Sequence, residues 1–226
     1  MENIIFCSSP FQVLVAKEVV QTVSEDFIGI YLKMSNDARQ IFYAERMAEF
    51  CKEVIVLEGK TVLNDIQDAL KDRFISNLYL ASLDNPVALS IFNPSTMSLY
   101  TFDDGSTSIV PLNLYTQNLE RGIPYTNFTL REVMSLSNRH YTVFEDCILF
   151  PKEKQVFLKL HLEPSHFHRA KNGKKISVFL GQFLGSLLYQ EDLEITQKLT
   201  AKVLDEQKID YYYPHPRVPL NPYQDK

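Results

Sequence analysis

Through the first hundred residues, short runs of β-branched and aromatic side chains alternate with amphipathic stretches, and this rhythm constrains the fold more than any other feature. A strand covered on both faces reads as a short continuous apolar run, and reaching a parallel neighbour requires a crossover long enough for a helix. The pattern predicts strands at Asn3–Ser8, Phe27–Leu32, Glu53–Leu57, Asn77–Ala81 and Ser98–Phe102. Helices are expected between them at Pro10–Val23, Asp37–Cys51 and Val62–Lys71, while Pro86–Phe92 is too short to assign. In the first helix Pro10 suits the opening turn, and Val13, Ala16, Val20 and Val23 share one face. The expected class is α/β, a doubly wound parallel sheet.

After Gly105 the rhythm weakens, recovering as a helix at Leu130–Leu136 and a strand at His140–Phe144. The polar stretch 161–175, with Pro164, Gly173 and the basic cluster Arg169, Lys171, Lys174 and Lys175, reads as a linker. A second β-α-β unit then begins, with a strand at Ile176–Leu180, a helix at Asp192–Gln207 and a strand at Asp210–Tyr213. We therefore expect a Rossmann-like first domain over 1–172 and a partial second domain over 173–226. A unit of about 50 residues is marginal alone. It is expected either to pack on the first sheet or to belong to a longer second domain.

Lys and Arg total 23 against 28 Asp and Glu, a net charge of −5, which argues against a nucleic-acid footprint. Cys7, Cys51 and Cys147 are widely spaced and form no CxxC pair, as expected of reduced core thiols in a cytoplasmic protein. The opening Met-Glu-Asn-Ile-Ile-Phe-Cys-Ser has an acid where a secretory leader carries Lys or Arg, and no apolar run reaches membrane-spanning length. The basic cluster is either a solvated face or a peripheral contact with anionic lipid.

Four segments carry candidate chemistry. Asp103-Asp104-Gly105 follows the run Leu99–Phe102, placing two carboxylates and a glycine at a strand's carboxyl end, where open α/β sheets bind ligands. Adjacent like charges raise a carboxyl's proton affinity, which suits a general base, whereas Asp-Gly is also a common turn pair. Pro214-His215-Pro216-Arg217 holds an imidazole between two prolines with a cation nearby, as a phosphate contact requires; a bare proline-rich loop is the plainer reading. Ser8-Ser9-Pro10-Phe11-Gln12 opens the first helix, where amides favour an anion, yet Ser9 is equally explained as an N-cap. Gly181-Gln182-Phe183-Leu184-Gly185 occupies the same kind of turn in the second unit but lacks a dinucleotide fingerprint. His161, His166 and His168 have no accompanying ligands at metal spacing, so no metal site is expected.

Taken in order, Ser-Pro-Phe-Gln at 9–12, Phe-Asp-Asp-Gly-Ser at 102–106 and Tyr-Pro-His-Pro-Arg at 213–217 resemble the bacterial lipooligosaccharide sialyltransferases of glycosyltransferase family 52. Leu80-Ala81-Ser82 and Arg139-His140-Tyr141-Thr142 resemble segments of the same group, so the likeness runs from Ile4 to Arg217. It implies a GT-B-like arrangement of two Rossmann-like domains, the second incomplete here. It also implies a CMP-sialic acid donor, a galactose-terminated lipooligosaccharide acceptor, and inversion with no cofactor or obligatory metal.

By motif position, Asp103 resembles the general base and His215 the group that stabilises the departing CMP phosphate. Ser9, Gln12, Asp104, Gly105, Gly181, Gln182, Pro216 and Arg217 are the expected substrate-binding positions. The family's chains continue past the His-Pro motif, so this one is expected to be C-terminally shortened, with weak or no activity alone and apolar surface that favours a homodimer. The resemblance implies a cytoplasmic enzyme, either free or peripheral to the inner membrane. It also admits transfer of another sugar, or a non-catalytic remnant that binds nucleotide or glycan.

Overall fold

The computed structural model describes residues 2–33, 38–59, 61–111, 113–161, 177–180 and 190–213. The chain divides into two compact units, Met1–Leu162 and Glu163–Lys226.

The first unit is built on a parallel sheet of seven strands: β1 (Glu2–Cys7), β2 (Phe27–Lys33), β3 (Glu53–Glu58), β4 (Ile75–Leu80), β5 (Ser98–Phe102), β6 (Ser137–Thr142) and β7 (Gln155–Phe157). Their spatial order is β3-β2-β1-β4-β5-β6-β7, a Rossmann-like winding in which the chain reverses direction across the sheet between β1 and β4. The crossovers hold α1 (Pro10–Val23), α2 (Ala38–Arg46), α3 (Val62–Leu70), α4 (Pro86–Leu89), α5 (Leu114–Gln117) and α6 (Leu130–Leu136).

Local chemistry explains the element boundaries. Ser9 caps α1 by accepting the Gln12 amide at 3.3 Å, with Pro10 in the first turn, and Ser24 ends the helix in a left-handed conformation (φ 58°). A Thr129 and Glu132 capping box opens α6. The helix expected to reach Cys51 ends instead at Arg46. Met47–Glu49 tightens into a 3₁₀ turn, and the Cys51 amide closes back onto the Met47 carbonyl at 2.8 Å. The strand expected from His140 starts at Ser137, directly from the last turn of α6. β7 escaped the sequence reading because its three residues carry too short a pattern.

Pleat alternation divides the core. Ile4, Phe6, Ile28, Ile30, Leu78 and Leu80 face one side with Ile66, Leu70, Leu130 and Val133. Ile5, Cys7, Phe27, Tyr31, Tyr79 and Phe102 face the other with Val15, Ala16, Val19 and Met47. All three cysteines are buried free thiols. On α1, buried Glu18 accepts the His161 amide at 3.0 Å and its Nδ1 at 2.9 Å, tying residue 161 to the helix.

In the second unit, β8 (Val178–Leu180) and β9 (Tyr211–Tyr213) pair in parallel, with α7 (Gln190–Glu206) as the intervening helix. Asp210 accepts the Ser177 amide at 2.8 Å and returns its own amide to the Ser177 hydroxyl at 3.1 Å, fixing the start of both strands. No helix among the described residues is long and apolar enough to cross a membrane.

Gly29 sits in close packing against the Met47 and Cys51 side chains. A Cβ there lies 2.8 Å from Met47 Cε and 3.0 Å from Cys51 Sγ. Gly29→Ala is expected to destabilise the protein by about 1–3 kcal/mol, read from the denaturant midpoint, through overpacking of this α2-side core.

Candidate active site

The carboxyl ends of β1, β4 and β5 bring the turns after each strand together at the winding reversal. Each contributes polar side chains: Ser8 and Gln12 follow β1, Ser82 follows β4, and Asp103 and Asp104 follow β5. Tyr115 reaches the same place from α5.

The two adjacent carboxylates have opposite surroundings. Asp103 is 0% exposed. Its Oδ1 accepts the Ser108 hydroxyl at 2.5 Å and faces His140 Nε2 at 3.2 Å, while its Oδ2 accepts the Val143 amide at 2.7 Å. His140, stacked on Phe150 with ring centroids 4.3 Å apart, places Nδ1 3.0 Å from Thr101 Oγ1, itself 2.8 Å from Ser137 Oγ. Burial opposes charge on this imidazole, but hydrogen bonding and charge from Asp103 and Cys147 prevail and hold its pKa above the ordinary histidine value. Burial also opposes the Cys147 thiolate, yet the hydrogen bond and charge of His140 bring its pKa below the usual thiol range.

Asp104 is partly reachable by solvent. Its Oδ1 accepts Gln12 Nε2; its Oδ2 accepts the Ser82 hydroxyl at 2.8 Å and has Tyr115 Oη at 3.5 Å. Burial raises its pKa above the ordinary carboxylate value, and nearby Asp84 adds like charge, against opposing hydrogen bonds from Gln12, Ser82 and Tyr115. Tyr115 is itself pushed up, by burial first and then by the charge of Asp104. Gly105 takes φ 111°, which favours glycine, and turns the chain into the Ser106–Ser108 3₁₀ turn that returns Ser108 to Asp103. The arrangement can take a proton at Asp104 from a bound hydroxyl, beside an acid whose own oxygens are occupied.

Of the residues expected from sequence, Gln12, Asp103, Asp104 and Gly105 come together, with Ser9 one turn away as the cap of α1. Gly181, Gln182, His215, Pro216 and Arg217 lie outside the described residues, as do His166, His168 and the basic cluster. Sequence reasoning missed Ser82, Tyr115 and His140 as site residues. The strand-end rule that selected Asp103 also selects Ser82, two residues past β4; Tyr115, on a four-residue helix, has no such signal.

The sequence profile of glycosyltransferase family 52 matches residues 24–221, most of the chain and both units. The chain belongs to glycosyltransferase family 52. Among its relatives is the CMP-N-acetylneuraminate:beta-galactoside alpha-2,3-sialyltransferase of Pasteurella multocida, 26% identical over 233 residues, spanning 95% of this chain and 73% of the relative. The N-acetyllactosaminide alpha-2,3-sialyltransferase of Haemophilus influenzae is likewise 26% identical, over 236 residues, with the same shares of both chains. In this family member, the acid-acid-Gly segment therefore lies at the carboxyl edge of a Rossmann-like sheet, where such folds bind ligands.

Asp103→Asn replaces the carboxylate shared by the buried Ser108 hydroxyl, the His140 imidazole and the Val143 amide with a neutral side chain. We expect a loss of about 1–3 kcal/mol in stability, measured by urea unfolding near neutral pH.

Proposed function

We propose that this protein transfers sialic acid from CMP-sialic acid to a hydroxyl of a terminal galactose, in lipooligosaccharide assembly, with Asp104 as the general base. Family membership and the names of both relatives support the donor and acceptor classes. The observation that carries the choice of base is the contrast between the carboxylates. Asp103 is sealed and committed to Ser108, His140 and Val143, while Asp104 is partly open and has a raised proton affinity. This proposal moves the proton-taking role expected of Asp103 by one residue.

In the proposed reaction Asp104 removes the proton as the galactose oxygen bonds to the anomeric carbon of sialic acid. The bond from that carbon to the CMP phosphate oxygen breaks, its electron pair leaves on the phosphate, and a single displacement inverts the centre. His215 is proposed to hydrogen-bond the phosphate as negative charge grows there. Asp103 then serves as the anchor of the loop that carries the base.

Asp104→Asn is expected to lower kcat by about 10²–10⁴-fold while leaving CMP affinity, measured calorimetrically, unchanged. Retained transfer would remove Asp104 from the base role, and lost CMP affinity would make it a donor-binding group.

The pH dependence follows from the same surroundings. The base works unprotonated, so activity is lost as pH falls through the Asp104 pKa, and the acid limb lies above the ordinary carboxylate range. Asp84→Asn removes a neighbouring negative charge and should move that limb of the kcat/KM profile to lower pH.

A further inference from the structure

Gln12 is a polar residue on the buried face of α1, only 2% exposed, in a segment whose neighbours Val13, Val15 and Ala16 pack into the core. A glutamine side chain has two N–H donors and one carbonyl oxygen with two lone pairs. All four are used within the protein. Oε1 accepts the Ser8 amide at 2.6 Å and has the Ser8 hydroxyl at 3.2 Å; Nε2 donates to Ser82 Oγ at 3.0 Å and to Asp104 Oδ1.

The Ser8 contact decides which way the amide points. A backbone N–H can only donate, so it fixes Oε1 at Ser8 and leaves both Nε2 hydrogens for the Asp104 side. Those hydrogens close a ring with Ser82, whose hydroxyl in turn donates to Asp104 Oδ2 at 2.8 Å. With Tyr115 Oη also beside Oδ2, that oxygen faces two hydroxyl donors. Among the described residues Oδ1 has the single donor Gln12.

We propose that Gln12 is a positioning residue and does not bind substrate. Its amide, held in one sense by the Ser8 backbone, keeps Asp104 as an oriented carboxylate whose proton-accepting lone pair is the open one on Oδ1. This rests on the reading of Asp104 as the base. It replaces the substrate-contact role expected for Gln12 from sequence, because a side chain whose hydrogen-bonding groups are all occupied has none left for a sugar or nucleotide. It also assigns the acceptor hydroxyl to the Oδ1 side of the carboxylate, away from Ser82 and Tyr115. The hydrogen bond from Gln12 opposes the burial that raises the Asp104 pKa, in keeping with this role.

The test compares Gln12→Met, which keeps the length and removes the donors, with Gln12→Glu, which places a second carboxylate against Asp104. For Gln12→Met the acid limb of kcat/KM should move up by about one to two pH units, the worth of a lost charge-assisted hydrogen bond. KM for CMP-sialic acid and for a galactoside acceptor should stay within about twofold, as for a group that does not touch either. Gln12→Glu should move the limb further and recover activity as the pH is raised.

A raised KM with an unmoved acid limb would make Gln12 a substrate contact and overturn the proposal. An unmoved limb with unmoved KM would make it purely structural and overturn it equally. For any variant without measurable turnover, the Asp104 carboxyl is titrated directly by ¹³C NMR in the folded chain. An upward shift in Gln12→Met supports the proposal, and an unchanged titration defeats it. The underlying base assignment fails separately, through retained transfer in Asp104→Asn.

Discussion

The carboxylate of Asp103 is the fixed point around which this site is built. It lies at the end of β5 with no exposure to solvent, and it gathers a hydroxyl from the following 3₁₀ turn, an imidazole from β6 and an amide just beyond β6. A buried charge is tolerated only with such partners, so the partners and the charge hold one another in place. The ties to Ser108 and Val143 bracket Asp104-Gly105 and limit how that loop can bend. The next residue therefore inherits a defined position from its sealed neighbour.

The pair also illustrates how one dipeptide can divide two roles. Successive side chains at a strand end diverge, so Asp103 turns toward the β6 side of the sheet, while Asp104 meets groups delivered from β1 and β4. One acid is sealed against an imidazole whose proton affinity it raises, and the other is held by neutral donors in a partly buried place, where burial leaves its own proton affinity raised. The environment, more than the residue type, separates the sealed acid from the open one.

Much of this was legible in the sequence. The strand and helix rhythm gave α1, β5 and α6 at their observed bounds, because the apolar period and the Ser9-Pro10 start are local signals. β7 and the shortened α2 were not legible, since a three-residue strand has no period and the 3₁₀ turn at Met47 depends on where Cys51 must enter the core. Asp103-Asp104-Gly105 was found from its place after an apolar run. Which acid is open was not, because that depends on His140 of β6 and Val143 just beyond it, 37 and 40 residues later in the chain. Ser82 and Gln12 meet only because β1 and β4 are adjacent in the sheet, a fact of topology and not of spacing.

The bond between Glu18 and His161 places residue 161, near the end of the first unit, on the flank of α1. His161 is thereby held about two turns along α1 from Gln12, the side chain that meets Asp104. One continuous hydrogen-bonded helix therefore carries both the side chain that fastens residue 161 and the side chain that meets the Asp104 carboxylate.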